Sequence, residues 1–370
     1  MTFSRHKISD NTIHEQADPA NIWLLMGHKA GDNNQVLALA EAIDQAFEIK
    51  HFHYCPHELL TNRLLQVTLA GIDRKRSSAL IPPWPALVIT AGRRNEPVAR
   101  WIQQQSGGTT RIVHIGRPWA ELDAFDLIIT TPQYFLPEQD NVLQVQLPLH
   151  RLSSAKLEAA AAEWRERLKH LPRPYTVLLV GGDSGPFVFT PAKGQRLGTL
   201  ANQHVQAYSG SLLISNSART PASMFAALQQ QLTVPTYIHH WGGSAEENPY
   251  LAFLGLADRL IVTGESMSML TEASSTNKPV YIFDPTDADP RWWRYPRNFH
   301  HKPLSYHLAM RFGPRRMRRD VGNIQRALVA SGRAVWLGEP VTAMARAPAN
   351  ELQSAVRRVR VLLEQPRSVA

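Results

Sequence analysis

Among 370 residues there is a single cysteine, Cys55. One thiol forms no intrachain disulfide and supplies neither a thiolate zinc cluster nor an iron–sulfur centre, so a reducing cytosol is the expected setting. Long apolar runs are also missing. None approaches the roughly 18 residues of a spanning helix, and the N-terminal MTFSRHKISDNTIHEQADP holds no apolar stretch of signal-peptide length. The expectation is a soluble protein, at most peripheral to a membrane. The nucleophile-elbow pattern G-x-S-x-G does not occur, which speaks against an α/β-hydrolase. The dinucleotide fingerprint and the P-loop spacing are absent as well. His239–His240 and His300–His301 come in pairs without helical ligand spacing, and Asp287 and Asp289 sit in a Pro-rich stretch. No metal is therefore expected.

What is present describes a globular chain: 44% hydrophobic and 19% charged residues provide apolar area enough to offset conformational entropy. The length exceeds one ordinary core, so two domains are expected. The net charge of +9 is concentrated late, in RFGPRRMRRD (311–320) and AVRRVR (355–360). Such runs attract anionic lipid headgroups or a phosphorylated glycolipid, or they form solvated helix faces. They lack an aromatic stacking platform or a recognisable binding module, and a nucleic-acid partner is not expected.

The first twenty residues are polar and aperiodic and read as a mobile tail. From Asn21 onward short apolar runs ending in turn signals alternate with helical stretches: IWLLMG, a helix from about Asn34 to Phe47, then ALVITAG, RIVHIG and FDLIIT. Continuous apolar strands separated by helices mark a parallel sheet covered on both faces. A first domain over 21–170 ends at a hinge in LPRP. A second, over 171–310, carries YTVLLVGG, SLLISNS, TYIHHWGG, RLIVTGE and KPVYIFD. Residues 311–370 read as a basic helical region whose last helix crosses back to the first domain. The fold class is α/β, with two doubly wound sheets.

Ligands of open α/β sheets bind beyond the carboxyl ends of the strands, so the loops there carry the candidates. In GHKAGDNNQ, His28, Lys29, Asp32 and Asn34 stand around Gly27 and Gly31, with Asp32 and Asn33 as potential helix N-caps. In TAGRRNEP, Arg93 and Arg94 suit a phosphate or carboxylate. The glycines of LLVGGDSGPF, Gly181, Gly182 and Gly185, permit N–H groups to converge on an anion around Asp183 and Ser184. Ser217, Arg219 and Thr220 precede Pro221 at another helix start. The fullest pattern is TGESMSMLTE. Gly264, Glu265 and Ser266 end a strand, Ser268 and Met269 open a helix, and Glu272 follows about two turns in. Hydroxyls at that helix start suit a diphosphate, and the carboxylate suits the two hydroxyls of a ribose.

Together GHKAGDNNQVLALAEAI, VITAGRRNEPVARWI, FDLIITTP, SNSARTP and WGGSAEENPYLAFLGLADRLIVTGESMSMLTEASSTNKPVYIFD resemble the elongated-mitochondria (mitochondrial fission) family, whose bacterial relatives include lipooligosaccharide outer-core glycosyltransferases. The resemblance implies a GT-B-like fold, with a nucleotide sugar held by the second domain and an acceptor approached from the first. It implies ribose recognition by Glu272 and a diphosphate cradle at Ser266, Ser268 and Met269. After FDLIITTP this chain departs from its relatives, carrying Gln133-Tyr134 where an acidic or histidine-containing turn is common. The function so implied is sugar transfer to an anionic, lipopolysaccharide core-type glycolipid at the inner face of a bacterial membrane. Asp32 is then the base and Arg219 the stabiliser of the leaving group, with no cofactor or metal. A non-catalytic adaptor on the same scaffold and a nucleotide-sugar epimerase are the alternatives. Donor base, sugar, stereochemistry and oligomeric state are not legible.

Overall fold

The structure, a computed structural model, describes residues 21–55, 66–184, 187–242, 248–286, 308, 310–313, 318–339 and 351–365. The tail 1–20, Gly185, the Asp287/Asp289 pair and the His300–His301 pair lie outside them.

Two six-stranded sheets, parallel throughout, organise the described residues. The first contains β1 (Ile22–Met26), β2 (Phe47–His51), β3 (Leu87–Ala91), β4 (Arg111–Ile115), β5 (Leu127–Thr130) and β6 (Val142–Gln144), in the order β2-β1-β3-β4-β5-β6. The second contains β7 (Tyr175–Leu179), β8 (Ser211–Ser215), β9 (Thr236–His239), β10 (Arg259–Thr263), β11 (Val280–Phe283) and β12 (Val335–Trp336), in the order β12-β11-β10-β7-β8-β9. Strand order therefore reverses at β1/β3 and at β7/β10, the two places where such sheets open a crevice at their carboxyl edges. The fold class is the expected one, α/β with two doubly wound, Rossmann-like units.

Period-two alternation explains how each central strand is buried on both faces. In β1, Ile22 and Leu24 join a core with Val36 and Leu39 of α1 (Ala30–Ile43). Trp23 and Leu25 join the opposite core with Val98 and Ile102 of α2 (Glu96–Gln105). In the second sheet, Val177 and Leu179 face α3 (Ser154–Leu168) and α6 (Tyr250–Leu256). Leu178 and Val180 face α4 (Pro191–Tyr208) and α5 (Ala222–Gln229).

Several boundaries differ from expectation. The first helix runs Ala30–Ile43, four residues ahead of the expected 34–47, because Asp44 takes a left-handed conformation (φ 62°) and ends it. Asp32 thus lies inside the first turn, where a carboxylate complements the helix dipole, and is not a cap. The edge strands β2, β6 and β12 carry no continuous apolar run, so no pattern announced them. The domain boundary expected at 170 falls earlier by packing: Ala161, Trp164 and Leu168 of α3 are buried in the second lobe's core, ahead of LPRP.

The region 311–370 is not one helical unit. Helix α8 (Gly322–Ala330) and β12 build onto the second lobe, whereas α9 (Glu351–Glu364) returns to the first, burying Ala355, Val356 and Val359 against the α1 side. Arg360 donates to the Ile43 carbonyl at the end of α1 (3.3 Å), and Arg358 to the carbonyl of Asp140. Two of the three arginines of AVRRVR, Arg358 and Arg360, therefore dock this helix, which accounts for part of the run expected to face a membrane. Burial of the two valines is worth about 3–6 kcal/mol. Val359→Asp is accordingly expected to release α9, seen as proteolysis after residue 339 under conditions that leave the wild type intact; equal protection of both would contradict the docking. No described helix is long and apolar enough to cross a membrane.

Candidate functional site

At the β1/β3 switch point the loops after five strands, β1 to β5, surround a cavity of about 320 Å³, with Tyr54 from the loop after β2. Gly27, His28, Lys29 and Asp32 come from the first loop and Gly92, Arg93 and Arg94 from the loop after β3. Gly116, Arg117 and Trp119 follow β4, Tyr134 follows β5, and Arg319 reaches in from the segment leading into α8. Among the described lining residues Lys29, Arg93, Arg94, Arg117 and Arg319 thus stand around the Asp32 carboxylate.

The walls are fixed from beneath. Asn33 accepts from the Gly27 N–H and donates to the Gly27 carbonyl, both at 2.9 Å, closing the first loop on itself. Fully buried Asn95 donates to the Leu25 carbonyl (2.9 Å) and accepts from the Tyr54 hydroxyl (2.7 Å), which ties the end of β1 to the loops after β2 and β3. Fully buried Glu96 accepts the N–H groups of Trp119 and Ala120, both at 2.9 Å, and so sets the loop after β4. Arg93 lies over Trp119 at 5.1 Å and Arg94 over Tyr54 at 5.4 Å, while Arg94 also meets His28 Nδ1 at 3.0 Å. Burial lowers the pKa of Arg117, Tyr134 opposes this, the adjacent Arg319 charge lowers it further, and the Glu96 carboxylate works against that.

Of the expected acceptor-side residues, Gly27, His28, Lys29, Asp32, Arg93 and Arg94 line this cavity. Gly31 and Asn34 do not; they are exposed on α1, and Asn33 serves as the clamp. Sequence reasoning missed Tyr54, Arg117, Trp119, Tyr134 and Arg319. The rule that sites follow strand ends points to Arg117 and Trp119, in the turn immediately after RIVHI; nothing local points to Arg319.

In the second lobe the loops after β7, β8 and β10 meet at the β7/β10 switch point. Gly181 donates to Thr263 Oγ1 (2.8 Å), Gly182 to Glu265 Oε1 (2.7 Å), Asp183 to the Arg219 carbonyl (3.2 Å) and Ser184 to the Phe187 carbonyl (3.0 Å). The N–H groups of Gly181, Gly182, Asp183 and Ser184, expected to converge on an anion, are thus all bonded within the protein, and Gly185 lies outside the described residues. Asp183 is buried and accepts from the Phe189 N–H at 2.7 Å. Ser217 and Thr220 spend their hydroxyls on each other (3.2 Å), and Thr220 also donates to the Gly181 carbonyl. Arg219 is exposed and anchored by one donation, at 3.1 Å, to the Asp183 carbonyl.

Glu265 is the anomaly of this lobe. One carboxylate oxygen accepts from Gly182, the other is buried without a hydrogen-bond partner, and burial pushes its pKa up to about 7 in spite of those bonds and of Arg219. Gly264 has no room for a side chain, because Gln325 donates to its carbonyl at 2.6 Å. Helix α7 (Met267–Ser274) starts after Ser266, whose side chain makes no capping bond. Its first-turn N–H groups are those a helix leaves without intrahelical partners. Ser268 is exposed there, whereas Met269 packs against the core. Glu272 accepts from the Tyr250 hydroxyl, and burial raises the pKa of both groups. Among the described residues no three His, Cys, Asp or Glu side chains are grouped so as to hold a metal.

The chain is 29% identical over 241 residues to the Arabidopsis thaliana mitochondrial fission protein ELM1, covering 59% of this chain and 56% of that protein. It therefore spans little more than half the length of that relative. An uncharacterized protein of Rickettsia prowazekii is 25% identical over 298 residues, covering 72% of this chain and 83% of its own length. The structure of a UDP-glucosyltransferase from Polygonum tinctorium aligns with a TM-score of 0.46 at 10% identity, over 95% of this chain and all of that one. The profile of the family described as Mitochondrial fission ELM1 matches residues 30–361, and the chain belongs to that family.

Proposed function

We propose that the chain is a glycosyltransferase that moves a sugar from a nucleotide-sugar donor, bound at the carboxyl edge of the second sheet, to a hydroxyl of an anionic glycolipid seated in the first-lobe cavity. The observation that carries this reading is a pair of unlike sites at the two switch points. One is a cavity whose described lining is rich in cations and holds the Asp32 carboxylate. The other joins an arginine, the start of a helix and a half-buried glutamate.

Asp32 is the candidate base, taking the proton of the acceptor hydroxyl as it attacks the anomeric carbon. Departing diphosphate is stabilised by Arg219 and the N–H groups opening α7, with Ser266 and Ser268 beside them. Glu272 receives the ribose hydroxyls on the oxygen not held by Tyr250. A thermal-shift panel of UDP, GDP and CMP sugars tests the reading, since a donor at 100 times its Kd adds about 2.7 kcal/mol of stability. Glu272→Ala is expected to weaken donor binding roughly 10–100-fold, the loss of one or two charge-assisted hydrogen bonds. Asp32→Ala should leave donor binding intact and cut turnover by about 10²–10⁴-fold. Equal donor affinity in wild type and Glu272→Ala would refute the ribose assignment.

The kinship with the plant fission protein favours a second reading, a non-catalytic adaptor built on the same scaffold. That reading stands if no nucleotide sugar raises the melting temperature. Conversion of the donor without any acceptor would instead identify an epimerase.

A further inference from the structure

The cavity of the first lobe has a composition that an uncharged sugar does not call for. Its described walls bring Lys29, Arg93, Arg94, Arg117 and Arg319 together with Asp32 in about 320 Å³, and the Glu96 carboxylate is near enough to Arg117 to favour its charge. Like charges held so close raise one another's free energy, and the cost grows as water is excluded. The cavity lies at the small end of the range for small-molecule sites, about 300–1,000 Å³. It exceeds what a bare ion needs.

Two of these cations form a distinct pair. The Arg117 and Arg319 guanidiniums lie 5.6 and 5.9 Å from the ring centroid of Tyr134. Arg117 donates to the Arg318 carbonyl at 3.2 Å, and Arg319 Nε donates to Gln133 Oε1 at 2.9 Å. Gln133 is itself buried and fixed: its side-chain amide donates to Thr131 Oγ1 (2.9 Å) and its backbone carbonyl accepts from the Asp320 N–H (2.9 Å). With Nε committed, the terminal nitrogens of Arg319 are the donors left to face the cavity. Guanidiniums oriented in this way match phosphate oxygens, which offer more acceptor positions to a converging pair than a carboxylate does.

Resting on the acceptor-side reading above, we infer that this cavity recognises a phosphoryl group on the acceptor, a phosphorylated sugar or the diphosphate of a lipid-linked one, through Arg117 and Arg319. Arg319 comes from the second lobe's side of the chain: Val321, two residues on, is already part of that lobe's core. The phosphoryl site is thus completed across the lobes. The Gln133-Tyr134 turn is the piece that orients the pair.

Calorimetric titration at constant ionic strength tests the inference, using glucose 1-phosphate and pyrophosphate against glucuronate and glucose, with UDP titrated separately. The phosphates are expected to bind at least tenfold tighter than glucuronate. Arg319→Gln should weaken them at least tenfold, and Arg319→Lys should restore part of the loss. UDP binding should be the same in all three proteins. Glucuronate binding as tightly as glucose 1-phosphate, or Arg319→Gln binding phosphates like the wild type, would overturn the assignment. Loss of UDP binding in Arg319→Gln would overturn it too, since the cavity would then hold the donor's diphosphate. Phosphate binding sensitive to Arg319 in a protein that transfers no sugar would leave the phosphoryl site standing and remove the glycosyltransferase reading alone.

Discussion

Raising the pH from 5 to 8 is expected to destabilise the wild-type second lobe by about 2–3 kcal/mol more than it destabilises Glu265→Gln. The carboxyl of Glu265 titrates at an ordinary 4.5 when exposed but near 7 when folded, because burial disfavours its charge more than Gly182, Thr263 and Arg219 favour it. Between those values the folded state keeps a proton that the unfolded state has released. The associated stability is complete below about pH 4.5, declines as the pH passes 7, and is gone above it. Glutamine keeps the acceptor that Gly182 uses and carries no charge at either pH. Urea denaturation of both proteins at several pH values measures the difference, which cancels the other titrations. Parallel curves would show that Glu265 keeps an ordinary pKa.

Gly182→Ala is expected to cost about 3 kcal/mol, the upper part of the range for overpacking, and to lower the melting temperature by roughly 6–12 °C. A methyl group there would stand 2.0 Å from the Arg219 carbonyl oxygen and 2.2 Å from its carbon. Both are backbone atoms, fixed by the N–H of Asp183 and by the Ser217–Thr220 turn, so no side chain can swing aside. Gly31→Ala is the control. Nothing lies within 4 Å of its added methyl, the residue is helical, and the change should stabilise by about 0.5–1 kcal/mol. If both variants melt together, the close approach of the β7 and β8 loops is wrong.

These two glycines show what the sequence could and could not convey. Alternating apolar strands and helices were legible because period and burial are local properties: β1, β3, β4, β5 and β7 to β11 lie where the apolar runs put them. The loops bearing candidates were legible from their place after strands, and six of the expected residues do line one cavity. A glycine-rich loop, by contrast, reads the same whether its N–H groups await an anion or are already bonded. Thr263 and Glu265, some eighty residues away, decide that at Gly181 and Gly182. Arg319 was illegible for a similar reason. Its run looked like surface charge, and only the packing of α8 against the 132–134 turn brings it to the first lobe.

The return of α9 also bears on the order in which the chain is made. The first lobe's core needs Ala355, Val356 and Val359, yet its last strand is complete at Gln144. At 5–20 residues per second, roughly 10–40 s of synthesis separate the two. Through that interval the nascent first half presents an uncovered apolar strip to the ribosome's surroundings, while the second half already holds everything its own core requires by β12. Maturation from the ribosome thus runs against the direction of translation, with the earlier half closing last.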